Sequence, residues 1–226
     1  MGWLSQRVDF NVVEFYRLME QKGYTLRWEK SALCPCIPKD SHGQPDVNCS
    51  LCLGKGRYWF EPKDIKGIMT SFQETAKWDQ TGEIMQGTHY LTTLPENKLG
   101  FWDRITNIHS IIRYSEIVEK GKYGGSDRLR FKQTAVLNLR TVQKVYVKNV
   151  DFNYNLDNQS IDWIGEQPNT GLQYSVEYET HPRWIIIDLV NVLRDTQVKS
   201  KKAGVQHQPM PVRAVVRLEF YVTPVF

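Results

Sequence analysis

Four cysteines constrain this chain more than any other feature. Cys34, Cys36, Cys49 and Cys52 are its whole complement, and they fall in the window CPCIPKDSHGQPDVNCSLC, followed at once by Leu53-Gly54-Lys55-Gly56. The spacing is C-x-C, a twelve-residue polar loop, then C-x-x-C. Two close pairs brought together across a loop make a tetrahedral thiolate set, the arrangement that Zn²⁺ favours. Gly54 and Gly56 allow tight turns in which backbone N–H groups can point at the sulfurs. A closed set of four thiolates leaves no open coordination position, so the expected role of the metal is structural.

The competing reading is a pair of disulfides. Cys34 and Cys36 are too close to bridge each other comfortably, so both bonds would have to cross the loop. A chain of 226 residues has enough core to fold without such staples. The opening MGWLSQRVDFNVVEF lacks a basic segment followed by an apolar run, so no secretory leader is expected there. A reducing compartment, and hence thiolate–metal chemistry, fits better. His42 is the alternative ligand inside the loop, and a solvent-facing position is expected for it.

Around this cluster the sequence is mostly β in character. Hydrophobic residues make up 41% and charged residues 24%, the balance of a globular chain rather than a disordered one. Aromatics reach 12%, which suits strands and contact surfaces. A single helix is expected over Asp9–Lys22, capped by Asp9, ended by Gly23, and apolar along Val12, Phe15, Tyr16 and Met19. Short strand candidates follow at Arg57–Glu61, Ile65–Phe72, Gly87–Thr93, Ile105–Ile112 and Tyr114–Val118. Turn residues at Asp79–Gly82 and Pro95–Asn97 separate some of them, a spacing that suggests a small barrel.

Period-two alternation is clearest in the last hundred residues. It marks Ala135/Leu137/Leu139, then Phe152/Tyr154/Leu156 with Asp157-Asn158 turning into Ile161 and Trp163. It recurs at Tyr174/Val176/Tyr178 and runs from Val212 through Ala214, Val216, Leu218 and Phe220 to Val222. This is the pattern of an antiparallel sandwich or barrel. Trp163, Tyr174, Val176 and Tyr178 are expected in one core with Val216, Leu218 and Phe220. Trp184–Val190 is dense enough to be buried on both faces. The fold class expected is therefore mainly β: a short N-terminal helix, a four-cysteine zinc knuckle, a small β-barrel and an antiparallel β-sandwich. The corresponding divisions are 1–30, 31–60, 61–118, a Gly-rich linker or exposed loop at 119–128, and 129–226. Arg194–Pro211 reads as a long polar loop, and loops of that length tend to be functional or disordered. Its Lys199, Lys201 and Lys202 could meet phosphates or an acidic partner; a solvated charge run is the plainer reading.

No catalytic constellation is visible. Gly54-Lys55-Gly56 lacks the spacing of a phosphate loop, and neither G-x-S-x-G nor H-E-x-x-H occurs. The five histidines are scattered. Asp103-Arg104 is expected to form an ion pair at a strand start, a structural role. No apolar run approaches membrane-spanning length, and a net charge of +4 is too mild to imply nucleic acid.

The residues do carry a resemblance. C-x-C…C-x-x-C-x-G-x-G followed by an aromatic strand resembles a zinc knuckle of tailed-bacteriophage structural proteins. Leu156–Tyr178, with its apolar-Trp strand, Pro and Gly turn and Y-S-V-x-Y strand, is similar to a hairpin of phage neck, tail and baseplate modules. Asp103-Arg104-Ile105 resembles the strand start of head-closure barrels, and His181–Trp184 and Pro211–Ala214 add to the likeness, which covers about two-thirds of the chain. The resemblance implies a non-enzymatic virion component of the neck or head-to-tail connector. It would form a homo-oligomeric ring between portal and tail around the DNA channel, with Lys199, Lys201 and Lys202 near packaged DNA or a neighbour and no membrane contact. The alternative is a zinc-knuckle module of a cellular protein that binds nucleic acid or protein. A metal-supported enzyme is the third class, and it would require polar groups converging in a pocket.

Overall fold

The computed structural model describes residues 12–37, 44–71, 86–123, 127–190, 195–200 and 204–222. The described chain is mainly β. A helix, α1, spans Val12–Lys22 and ends where the Gly23 N–H donates to Met19 O at 2.9 Å. Met19 is fully buried and Phe15 and Tyr16 are half-buried, so the apolar stripe faces the core; Asp9 lies outside the described residues. The chain divides into two units that are not consecutive in sequence. The first comprises residues 1–30, 61–105 and 184–218, the second residues 31–60, 106–183 and 219–226.

The first unit is a closed six-stranded barrel. Its strands are β1 (Tyr24–Leu33), β2 (Arg57–Ser71), β3 (Thr88–Thr93), β14 (Val212–Leu218), β11 (Arg183–Val190) and β4 (Arg104–Thr106), in that order around the barrel. Closure leaves no free edge, so every strand pairs on both sides. Leu26, Trp28, Ile65, Leu91, Ile105, Ile186, Ala214 and Val216 fill the interior. Gly67 is required by that packing: a Cβ there would lie 2.9 Å from Leu91 Cδ1 and 3.0 Å from Leu26 Cδ1. β2 bends at Glu61, whose φ of 50° is rare for a side-chain-bearing residue, just before Pro62. At this bend the chain passes from the second unit into the barrel.

The second unit holds two three-stranded antiparallel sheets. One has the order β5 (Ile112–Glu119), β10 (Gln173–Thr180), β7 (Gln133–Arg140); the other has β6 (Asp127–Arg128), β9 (Ser160–Trp163), β8 (Phe152–Asn155). Tyr174, Val176 and Tyr178 of β10 pack with Val118, Leu129, Phe131, Val136, Leu139, Tyr146, Phe152 and Ile161, and Trp163 lies against this cluster.

Several expectations are corrected here. Val216 lies in the barrel core and Leu218 packs against it, apart from the Tyr174 cluster, because β14 pairs with β3 and β11. The alternating stripe from Val212 stops at Leu218, and Glu219–Val222 turns into a single helical turn, α2. On β7 the buried residues are Gln133, Val136 and Leu139, while Leu137 is 44% exposed. A bulge opposite Glu177/Tyr178 inserts Leu137 between the pairs Tyr178↔Val136 and Glu177↔Asn138, and the face shifts by one residue. Residues 119–123 and 127–128 lie inside the second unit, so this stretch separates no domains. The last hundred residues are shared between the barrel and the second unit rather than forming a sandwich of their own.

β1 has no counterpart among the expected strands, although Tyr24, Leu26 and Trp28 alternate with Thr25, Arg27 and Glu29 and its buried residues are Leu26 and Trp28. Ile105–Ile112 is interrupted by a turn after Thr106, where the Asn107 side chain accepts the His109 N–H at 3.0 Å. Arg194–Pro211 contains a hairpin, β12 (Asp195–Ser200) and β13 (Gly204–Pro209), which forms a two-stranded sheet of its own. A polar ribbon leaves no hydrophobic period to read. Asp103 and Arg104 do not make the expected ion pair with each other: Asp103 accepts the Trp28 indole N–H at 2.8 Å and the Gly100 N–H at 2.7 Å, and Arg104 forks onto Glu29 at 2.8 and 2.9 Å. Burial decides this, since a buried carboxylate is satisfied by the nearest fixed donors.

Candidate metal centre

Cys34 follows β1 directly, and the last tight turn of the knuckle leads into β2 at Arg57. The Cys34 N–H donates to Gly56 O at 2.9 Å, which clamps the start of the knuckle to its end. Between them the backbone turns repeatedly. Asp46 accepts the Asn48 N–H on its side chain at 2.8 Å and the Cys49 N–H on its carbonyl at 3.1 Å. The Leu53 N–H reaches Cys49 O and the Lys55 N–H reaches Cys52 O, each at 3.0 Å. These turns need left-handed backbone at Leu53, Gly54 and Gly56, with φ of 53°, 80° and 72°. Glycine supplies two of the three at no steric cost.

The four cysteines converge. Their sulfurs all lie within 4.8 Å of one another, with Cys34 Sγ to Cys49 Sγ at 3.7 Å and Cys36 Sγ to Cys52 Sγ at 3.5 Å. All four are free thiols, so the disulfide reading is not realised. A tetrahedral site with metal–sulfur bonds of about 2.3 Å has edges of about 3.8 Å, and the Cys34–Cys49 and Cys36–Cys52 sulfur pairs lie close to that edge. The donor set therefore fits a tetrahedral metal–thiolate centre. Cys34 and Cys52 are buried, and Cys36 and Cys49 are half-buried.

The backbone around the sulfurs is arranged to stabilise negative charge. The Cys52 and Leu51 N–H groups aim at Cys49 Sγ, the Cys36 N–H at Cys34 Sγ and the Gly56 N–H at Cys52 Sγ. Donation from the Cys52 N–H is the leading cause that brings the Cys49 thiol down to about 7. Burial dominates at Cys34, whose thiol is raised, and at Cys52, which is pushed up to about 12. A bound divalent metal would reverse the penalty at Cys34 and Cys52 and displace their protons.

Among the described residues, these cysteines are the one group of three or more His, Cys, Asp or Glu side chains placed to hold a metal ion. His42 lies outside the described residues. Lys199 falls on β12, and Lys201 and Lys202 also lie outside the described residues. The histidines at 89, 109 and 181 join no such group; His181 Nδ1 instead lies 2.9 Å from Ser110 O.

One functional neighbour escapes the sequence reading. Lys55, inside the C-x-x-C-x-G-K-G turn, places its Nζ 2.8 Å from Glu219 Oε1, and Glu219 is 1% exposed. Arg183 Nη1 lies 4.0 Å from the other carboxylate oxygen. Lys55 also sits over the Trp59 and Phe131 rings at 5.8 and 5.7 Å. Glu219 has the sequence position of an outward residue on a long strand, so no local signal marks it. The chain matches no protein-family model, and no curated protein matches it in sequence. No helix among the described residues is long and apolar enough to cross a membrane.

Proposed function

We propose that this chain is a non-enzymatic structural protein of a tailed-phage particle, one subunit of a ring in the neck or head-to-tail connector, with Zn²⁺ as the ion held by Cys34, Cys36, Cys49 and Cys52. The observation that carries this reading is the knuckle itself. A closed, half-buried set of four thiols, braced by backbone N–H groups, offers a metal no free position for substrate, and so has the form of a staple rather than of a reaction centre. Closed tetrahedral sets of four thiolates are the usual form of structural zinc sites, which is the ground for assigning Zn²⁺.

The phage assignment rests on the motif resemblance, and two features of the fold agree with it. The D-R-I segment, which resembles the strand start of head-closure barrels, leads into β4 of a closed barrel. The β12–β13 ribbon is a two-stranded sheet on its own, and such ribbons are marginal in water unless something else packs on or pairs with them. Residues 194–211 carry four cationic side chains and one carboxylate, which accounts for three of the four net positive charges of the chain. A ribbon with that charge suits a ring position facing packaged DNA or an acidic neighbour.

Mass spectrometry and cryo-electron microscopy of purified virions test the reading. The expected result is this chain in a ring between portal and tail; its absence from mature particles would overturn it. Neutralising Lys199, Lys201 and Lys202 together should lower the yield of infectious particles while the isolated protein keeps its melting behaviour. Wild-type yields from that triple variant would remove the assigned role of the ribbon.

A further inference from the structure

The geometry points to the C-terminal turn as part of the metal centre: Glu219, through Lys55, positions the second cysteine pair, so that metal binding and docking of residues 219–222 stabilise each other. This rests on the metal reading above but not on the virion assignment.

Lys55 is the only side chain between Gly54 and Gly56, in the turn that closes the knuckle. Its backbone N–H donates to Cys52 O at 3.0 Å, and its ammonium group reaches the buried Glu219 carboxylate at 2.8 Å. The same residue thus holds the carbonyl of a ligand and grips the C-terminal turn. Lys55 is 12% exposed and Glu219 1% exposed on their side chains, so the pair is shielded from solvent screening. A buried carboxylate that loses a cationic partner is costly to keep in place. Unfolding the knuckle would draw Lys55 away from Glu219 and leave the more distant Arg183, at 4.0 Å, beside the carboxylate.

The turn is also held by a grip that does not depend on the knuckle. Arg130 Nη2 donates to Phe220 O at 2.8 Å, its guanidinium lies 4.8 Å from the Phe220 ring centroid, and Tyr114 packs edge-on to that ring at 5.6 Å. Metal loss should therefore loosen the turn rather than release it. Linkage makes the coupling reciprocal: whatever factor the metal contributes to docking of the turn, the docked turn contributes to metal affinity.

The test is a pair of measurements on the full chain. Competition with a chromophoric chelator gives the Zn²⁺ affinity of the wild type and of Glu219→Gln, Lys55→Met and Lys55→Arg. Hydrogen exchange reads the amides of residues 219–222 with and without metal. The expectation is one zinc per chain in every variant, with affinity lowered about 5- to 150-fold in Glu219→Gln and Lys55→Met, largely restored in Lys55→Arg, and faster exchange of the turn once metal is stripped from the wild type. Unchanged affinity in Glu219→Gln, or exchange of the turn that ignores the metal, would overturn the coupling while leaving the metal site standing. A wild-type chain that binds no zinc would overturn both.

Discussion

In the barrel, Leu26, Ile65, Leu91, Ile105, Ile186, Ala214 and Val216 meet inside a sheet that has no edge. In the second unit the interior mixes aromatic with aliphatic side chains, its two sheets have only three strands each, and carboxylates sit among the rings. Asp127, fully buried, accepts the Trp163 indole N–H at 2.6 Å, the Tyr174 O–H at 2.7 Å and the Gly121 N–H at 2.7 Å. Glu116 accepts the Tyr178 O–H at 2.8 Å and the Arg130 N–H at 2.9 Å. Trp163 meets Tyr146, Phe152 and Tyr174 edge-to-face. The barrel also buries a carboxylate under an indole, Asp103 under Trp28, so the difference is one of degree: a closed sheet leans more on apolar packing, whereas small open sheets lean more on directional contacts and a cross-link. The four cysteines lie in the unit that needs the cross-link.

The largest effect expected from this contrast comes from the metal. Structural zinc contributes on the order of 10 kcal/mol to small thiolate folds at neutral pH. Cys52→Ser should abolish stoichiometric zinc and open residues 34–56 to hydrogen exchange, while the amides of β3, β11 and β14 stay protected. Simultaneous loss of protection in those barrel strands would show that the two units do not differ in this way. Next in size is a cavity in the closed barrel: Ile186→Ala should cost roughly 2–5 kcal/mol in denaturant melts, with zinc content unchanged.

A smaller loss is expected from a directional contact in the second unit. Trp163→Phe keeps a ring but removes the donor to Asp127, and a hydrogen bond to a charged group is worth about 1.5–3 kcal/mol. A melt indistinguishable from wild type would mean that the aromatic packing, and not the carboxylate, orders this region.

The smallest effect is one of pH. Burial holds the Glu116 carboxyl above its ordinary 4.5, against the opposing donors Arg130 N–H and Tyr178 O–H. The folded state therefore binds this proton more tightly than the unfolded chain does. Its contribution is greatest in acid and declines as pH rises from about 4.5 through the raised folded value. Glu116→Gln keeps an acceptor for both donors, so urea midpoints measured across that range should fall less steeply with pH than those of the wild type. An identical slope would show that Glu116 does not titrate on folding.

The four-cysteine cluster was legible in the sequence because its chemistry is carried by residue type and short spacing, and the turns between the cysteines are local. The helix stripe ending at Gly23 and the β9 and β10 segments were legible for the same reason, each showing its period within a few residues; the Trp184–Val190 run, expected to be buried on both faces, is so only over Trp184–Ile186. What the sequence by itself determined, then, was the β character, the four-cysteine group and the faces of the regular strands. Tertiary structure decided which strands meet. β14 joins β3 and β11 in the barrel rather than β10, the bulge turns Leu137 outward, and Asp103 and Arg104 find Trp28 and Glu29 across β1 instead of each other. It also decided that Glu219 folds back, buried, onto Lys55. The physical reason is that periodicity records only whether a side chain faces an interior. Strand pairing and buried charge partners depend on groups far apart in the chain, which are matched only when the backbone hydrogen bonds of the whole sheet are satisfied together.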